Sequence, residues 1–126
     1  MPLFQKIDCL RLPVADLEAG LRFYRDQLGH ELIWRTATSV GMRLPDSNAE
    51  LVIHTEGGPN ETDLMVDAVD DAVAQIVAAG GRVLEPAFDI AIGRCAVVAD
   101  PFGNVLVVLD QSKGLLVTDD AGNVIS

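Results

Sequence analysis

The chain is short of several things at once, and each shortage removes a class of function. Two cysteines, Cys9 and Cys95, in 126 residues are too few for the disulfide framework of a small secreted scaffold. Positive charge is also scarce. Nine Lys and Arg stand against 19 Asp and Glu, a net charge of −10, so a phosphate backbone would be repelled and nucleic acid is not expected as a partner. Long hydrophobic runs are missing too: stretches such as Val105 to Leu109 have the size of a strand, not of a membrane span. At the amino terminus, Met1 to Lys6, no long apolar run follows a basic segment. A cytoplasmic protein with reduced thiols and no membrane partner is the expectation. Apart from the last dozen residues, nothing reads as low-complexity or as a linker.

What is present is enough apolar material for a real core, 49% of the chain, in a length that fits one domain over 1–126. The charge is uneven. Residues 1–60 carry six Lys/Arg against eight Asp/Glu, a balance of −2, and residues 61–126 carry three against eleven, a balance of −8.

The sequence also repeats itself. Leu12, Val14, Leu17, Leu21, Leu28 and Gly29 recur as Leu64, Val66, Val69, Val73, Gly80 and Gly81, each pair 52 positions apart (64 − 12, 66 − 14, and so on). An internal duplication is the simplest reading. A unit this short should pair with its copy, and the groove between the two is the natural place for a pocket.

In the first copy, Ile7 to Val14 reads as a strand, and Asp16 stands as N-cap ahead of Leu17, Leu21, Tyr24 and Leu28. Those spacings make one apolar helical stripe, and Gly29 follows as a C′ residue. Glu31 to Ala37, Val40 to Leu44 and Ala49 to Thr55 read as strands, with a turn at Pro45-Asp46-Ser47-Asn48. After the breaker Gly57-Gly58-Pro59-Asn60 the grammar repeats. Thr62 to Val66 is a strand, and a helix carries Val69, Val73 and Ile76 to a stop at Gly80-Gly81. Arg82 to Phe88, Gly93 to Ala99 and Asn104 to Leu109 are strands, the last two joined by Asp100-Pro101-Phe102-Gly103-Asn104. Each copy is therefore β-α-β-β-β, module 1 at about 5–56 and module 2 at about 61–110. The tail at about 114–126 reads as a C-terminal hairpin turning at Asp119-Asp120-Ala121-Gly122-Asn123.

Several of these segments carry a family resemblance: Leu10-Arg11-Leu12-Pro13-Val14-Ala15-Asp16-Leu17, Phe23-Tyr24, Leu28-Gly29, Val66-Asp67-Ala68-Val69, Ala79-Gly80-Gly81 and Asp100-Pro101-Phe102-Gly103-Asn104. In this order and with this duplication, the chain resembles the vicinal oxygen chelate superfamily, which includes glyoxalase I, extradiol dioxygenases, fosfomycin-resistance enzymes and bleomycin-resistance proteins. The resemblance implies an α+β fold in which two paired βαβββ modules form a curved, barrel-like mixed sheet around a central cavity with helices outside, commonly as a homodimer. It does not fix the function, because this scaffold hosts isomerases, dioxygenases, transferases and drug binders.

The resemblance also says where a divalent metal would be held. In metal-dependent relatives the first ligand, usually His, lies seven residues before the Asp that opens helix one, which is Cys9 here (16 − 7). Its repeat equivalent is Glu61 (9 + 52), where relatives place another His. The last ligand is a Glu four residues after the turn glycine, which is Val107 here (103 + 4). Pairing Leu51 with Leu106 puts Val52 at the remaining position. Two apolar residues and a cysteine among four positions argue against the usual metal centre, so no metal or other cofactor is expected.

Strand alternation gives the cavity lining separately. With Leu10, Leu12 and Val14 under the helix, Cys9, Arg11 and Pro13 face the other way. Glu61, Asp63 and Met65 likewise oppose Thr62, Leu64 and Val66, and Glu50, Val52 and His54 share a face, as do Val105, Val107 and Leu109. Each polar candidate has a plainer alternative. His54 could be a general base or an orphan metal ligand, but a lone strand-end histidine is more often solvated, and that reading is preferred. Arg11 could hold a ligand carboxylate or a salt bridge to Glu50 or Glu61. Glu61 and Asp63 could act as acid or base, or simply start a strand in solvent. Cys9 reads as a small wall residue, and Trp34 as a stacking platform or an interface residue.

Two function classes remain. The preferred one is a binder without chemistry that encloses a small aromatic or cationic molecule in the inter-module cavity, lined by Cys9, Arg11, Trp34, Glu50, Val52, His54, Asp63, Met65 and Val107, in the manner of bleomycin-resistance proteins. The alternative is a divergent glyoxalase-type lyase or isomerase, or a dioxygenase-like enzyme, with His54 and Glu61 catalytic and a metal recruited in a shifted arrangement that draws on Glu50 or Cys9. A plain interaction module is the third reading. A homodimer is expected in each case.

Overall fold

The computed structural model describes residues 2–125; Met1 and Ser126, the ends of the range read as one domain and of the predicted hairpin, lie outside them. Two compact units emerge. One contains Asp8–Glu61 with the tail from Val117 onward, and the other contains Thr62–Leu116 with the segment before Asp8. Each carries one β-α-β-β-β module, so the chain is α+β and the duplicated grammar is realised twice. Among the described residues no helix is long and apolar enough to cross a membrane.

The first module runs β1 (Lys6–Pro13), α1 (Leu17–Leu21), β2 (Leu32–Arg35), β3 (Ser39–Arg43) and β4 (Glu50–His54). Its sheet order is β2-β3-β4-β1, with β1 parallel to β4 and the other neighbours antiparallel. Leu12, Val14, Val40, Met42, Leu51 and Ile53 pack on one face against Leu17, Leu21 and Tyr24, as strand alternation predicts. Asp16 caps α1, its carboxylate accepting the Glu18 N–H at 3.2 Å.

The predicted helix to Leu28 is only partly realised. After Leu21 the chain widens into a π-helical segment, Arg22–Gln27, closed by the Leu28 N–H donating to the Phe23 carbonyl at 3.0 Å. The wider turn takes up one extra residue, so positions beyond it leave the 3.6-residue stripe. Leu28 is accordingly 54% exposed, and Gly29 ends the turn at φ +85°.

The second module runs β5 (Glu61–Met65), α2 (Val69–Ala78), β6 (Arg82–Ile90), β7 (Gly93–Ala99) and β8 (Val105–Leu109). Its sheet order is β5-β8-β7-β6, with β5 parallel to β8. Val66, Val69, Ala72, Ala96 and Val108 form the core beneath α2. Met65, Cys95, Val107 and Leu109 form a second apolar cluster on the opposite face. The N-cap position of α2 is Ala68, which has no capping side chain. The buried carboxylate of Asp110 serves instead, accepting the Val69 N–H at 2.9 Å.

The tail turns where expected but does not form an extended hairpin of its own. Thr118 and Val124 make a single antiparallel bridge, and Asn123 bridges in parallel to Arg35 at the end of β2. The Arg35 N–H donates to Gly122 at 2.8 Å and the Val124 N–H to Arg35 at 2.9 Å. The strand partner of the tail is therefore β2, whose open edge offers unpaired backbone groups.

Candidate functional site

The polar side chains predicted for module 1 do share a face, the one turned away from α1. Strand register arranges them in rows: Cys9 beside Glu50, Arg11 beside Val52, Pro13 beside His54, with Arg43, Gly41 and Ser39 continuing the rows on β3. Paired residues point to the same side of a sheet, so Cys9, Arg11, Glu50, Val52 and His54 share one face, on which Cys9, Val52 and His54 are buried.

Trp34 joins them through an irregularity. Leu32 pairs with Met42, but a bulge follows and Trp34 pairs with Gly41. Simple alternation would put Trp34 beside Leu32 under the helix. The bulge re-aims it to the opposite face, where the indole lies across Gly41 in the space a Cβ would occupy. Its N–H donates to Glu50 at 2.7 Å, which ties the half-buried ring to β4.

Arg11 takes the salt-bridge alternative, and one partner was not anticipated. Its guanidinium bonds Glu56 at 2.9 Å and lies 3.5 Å from Glu61. Glu50 receives the Trp34 indole N–H. Glu56 is further held by the Thr38 hydroxyl at 3.0 Å. Nothing in the spacing marks Glu56, which lies in the loop just past β4. Arg43, the other cation of this patch, is paired with Glu31 at 3.0 Å. The face thus carries three carboxylates, Glu50, Glu56 and Glu61, of which Glu56 and Glu61 engage the Arg11 guanidinium.

His54 corrects the preference for a solvated side chain. It is 3% exposed, with Pro13 of β1 and Ser39 of β3 as its neighbours on either side in the sheet. The Glu56 N–H donates to its Nδ1 at 3.1 Å. That lone pair is therefore in use, which disfavours His54 as a base at Nδ1.

Of the predicted residues of module 2, Asp63, Met65 and Val107 lie in the other unit. Asp63 pairs with Val107 and Met65 with Leu109. Asp63, Met65 and Val107 are all buried, so a solvent-facing strand start does not describe Asp63. Arg11 and Asp63 are repeat equivalents (11 + 52 = 63), and they pair with Val52 and Val107 respectively. That agreement supports aligning Val52 with Val107. The same unit holds an apolar hollow of about 340 Å³ between Phe4, Ile76 and Pro101; it brings no group of catalytic residues together.

The metal that the superfamily resemblance implies does not fit this donor set. Val52 and Val107 are buried aliphatics. Glu61 has the Arg11 guanidinium 3.5 Å from its carboxylate, and a fixed cation there opposes a second one. Among the described residues no group of three or more His, Cys, Asp and Glu side chains is gathered as a metal would need.

Comparison with known proteins gives a consistent picture. The family described as "Glyoxalase/Bleomycin resistance protein/Dioxygenase superfamily" matches residues 6–108. No curated protein matches the chain. Among solved structures, methylmalonyl-CoA epimerase from Mycobacterium tuberculosis is similar over 87% of this chain and 90% of its own, with TM-score 0.71 and 19% identity. The Mn(II)-bound glyoxalase from Novosphingobium aromaticivorans is similar over 89% of this chain and 41% of its own, with TM-score 0.62 and 22% identity. Homoprotocatechuate 2,3-dioxygenase from Brevibacterium fuscum covers 90% of this chain and 39% of its own, with TM-score 0.63 and 22% identity. At these identities the likeness is one of fold.

Proposed function

The chain belongs to the Glyoxalase/Bleomycin resistance protein/Dioxygenase superfamily, and from that premise we propose that it binds a small planar organic cation on the polar face of its first module, without the family's usual metal centre. The observation that carries this reading is the state of Arg11. Its guanidinium is held by Glu56 and Glu61, so it is not available as a clamp for a ligand carboxylate. By formal charge Glu50, Glu56 and Glu61 outnumber Arg11 and Arg43 on the face that carries the Trp34 indole. A carboxylate-rimmed aromatic ring suits a delocalised cation, which gains both electrostatic and cation–π attraction there.

Trp34 is the sole tryptophan, so its fluorescence reports this face directly. Titration with 1-methylpyridinium is expected to quench it saturably, equally with and without a chelator, while nicotinate leaves it unchanged. Quenching that requires added Mn²⁺ or Zn²⁺, or that nicotinate produces and the cation does not, overturns the proposal.

A further inference from the structure

The apolar hollow of the second-module unit lies in an uncharged part of a strongly acidic chain. Residues 2–5, 72–81 and 101–109 contain no Asp, Glu, Lys or Arg, although the chain as a whole carries a net charge of −10. Every residue that lines the hollow comes from these three segments except Asp100; among them are Leu3, Phe4, Ile76, Ala79, Pro101 and Leu106. The Asp100 carboxylate is engaged within its own turn, accepting the Phe102 N–H, the Asn104 N–H and Asn104 Nδ2 at 2.8, 2.9 and 2.7 Å.

An exposed aromatic side chain stands next to this hollow. Phe102, the residue after Pro101, is 86% exposed, and Phe4 in the wall is 40% exposed. The backbone that presents Phe102 is fixed: besides the bonds to the Asp100 carboxylate, the Asp100 N–H donates to the Asn104 carbonyl at 3.0 Å, and Gly103 adopts φ +89°. Burying a ring that already sits on an ordered turn costs little further conformational freedom.

We infer that two copies of this chain associate through this end of the second module, the Phe102 ring of each copy entering the apolar hollow of the other. Knob and hollow are neighbours on one copy, through Phe102 and Pro101, so a twofold axis between them brings each to its complement. The size is adequate, since about 150 Å³ is enough to hold benzene and the hollow measures about 340 Å³. Charge selects a second copy of this face in particular. Copies that each carry −10 repel wherever their acidic surfaces meet, and the uncharged segments are where they approach at least electrostatic cost. Area sets the strength. Phe102 and Phe4 together expose roughly 200–300 Å² per copy, so the contact falls short of the roughly 1,200 Å² of a stable complex and the dimer is weak and reversible. The inference is independent of the cation-binding reading, which concerns the other unit.

Sedimentation equilibrium of the native protein tests it. The mass is expected to be that of a monomer at about 5 μM and to approach that of a dimer at about 500 μM, more so in about 0.5 M than in about 0.05 M NaCl, because salt screens the repulsion between copies. Phe102→Ser changes a solvated position and should weaken association by at least about 10-fold. Ala79→Arg puts a cation at the hollow, beside the α2 C-terminus that favours one, and should do the same. In a mixture of isotope-labelled and unlabelled protein at the higher concentration, NOEs between copies should join the Phe102 ring to the Ile76 and Ala79 methyl groups. A monomer at every concentration, a dimer that survives either substitution, or NOEs between copies that avoid Phe102 overturn the inference. So does a protein that stays monomeric while added indole shifts the Ile76 and Ala79 methyl resonances, since the hollow is then a small-molecule site.

Discussion

The Asp110 carboxylate accepts the backbone N–H of Val69 at 2.9 Å and so caps α2 from the end of β8. In the first module the cap is local, because Asp16 bonds the Glu18 N–H; the repeat position, 16 + 52, is Ala68. Asp110 replaces the lost cap and goes further. It also receives the N–H groups of Arg94 and Ser112 at 3.0 and 3.2 Å and the Ser112 hydroxyl at 2.8 Å. One buried carboxylate thus joins β7, β8 and α2.

Asp110→Ala is therefore expected to cost about 3 kcal/mol, since it orphans several buried donors, whereas Asp16→Ala at an exposed cap should cost about 1 kcal/mol. Urea denaturation of the two variants measures the difference. Equal, small losses would show that α2 does not depend on the long-range cap.

The same carboxylate predicts acid sensitivity. Burial raises its pKa, but the hydrogen bonds from Val69, Ser112 and Arg94 outweigh that and hold it below the ordinary aspartate value. Asp100 and Asp119 are lowered as well, chiefly by the side chains of Asn104 and Asn123. A carboxyl depressed in the folded state contributes its full stability above the unfolded value, about pH 4, and loses it as the pH falls through the folded value. Urea midpoints should accordingly be flat from about pH 7 to 5 and fall below about pH 4. Asp110→Asn should make that fall shallower, and an unchanged slope would remove Asp110 from the account.

Gly41 is required by Trp34, because a Cβ there would occupy the space of the indole. Gly41→Ala should destabilise by about 1–3 kcal/mol as an overpacked contact and shift Trp34 emission to the red as the ring leaves Glu50. In a Trp34→Leu background the same substitution should cost clearly less. A cost that does not depend on residue 34 would place the constraint in the backbone.

How much of this was legible in the sequence follows the range of each interaction. The faces of β1, β4, β5 and β8 came out of the two-residue period, since one correctly assigned side chain fixes the rest of its strand. The Asp-x-x-Gly-Asn turns were equally readable, because their bonds stay within five residues. What was hidden depends on partners distant in sequence or on breaks in period. The bulge between Leu32 and Trp34 reverses a face that alternation assigns, and the π-helical segment displaces Leu28 from a regular stripe. His54 looked solvated because its place in the interior of the sheet, between Pro13 and Ser39, depends on strands distant in sequence. Asp110 as a helix cap lies 41 residues from the amide it serves.

Asp119 repeats the turn of Asp100 bond for bond. Asp100 accepts from the Phe102 and Asn104 N–H groups and from Asn104 Nδ2. Asp119 accepts from Ala121, Asn123 and Asn123 Nδ2, and Gly103 and Gly122 sit at φ +89° and +87°. The Asp119 turn has a further task, since it sets Gly122 and Val124 against Arg35. Asp119→Ala should therefore speed hydrogen exchange at the Arg35 and Val124 amides, while Asp100→Ala leaves both unchanged. Protection that persists in Asp119→Ala would mean that β2 holds the tail without help from the turn.

Arg11→Gln separates the two roles open to that residue. As a surface-proximal ion-paired group, its guanidinium should matter little for stability, about 1 kcal/mol or less. Its effect on binding depends on sign. If the face receives a cation, removing the guanidinium leaves Glu56 and Glu61 uncompensated beside the ligand, and affinity for 1-methylpyridinium should rise by about 2- to 5-fold at low salt and by less at 0.5 M, where screening shortens the reach of both carboxylates. If instead Arg11 were a ligand clamp that had merely found Glu56 and Glu61 in the absence of an anion, the same substitution would leave the cation unaffected and abolish any response to nicotinate. Trp34 quenching at two salt concentrations distinguishes these outcomes. A fall in cation affinity would show that the guanidinium holds Glu56 in place for the ligand more than it repels the ligand's charge.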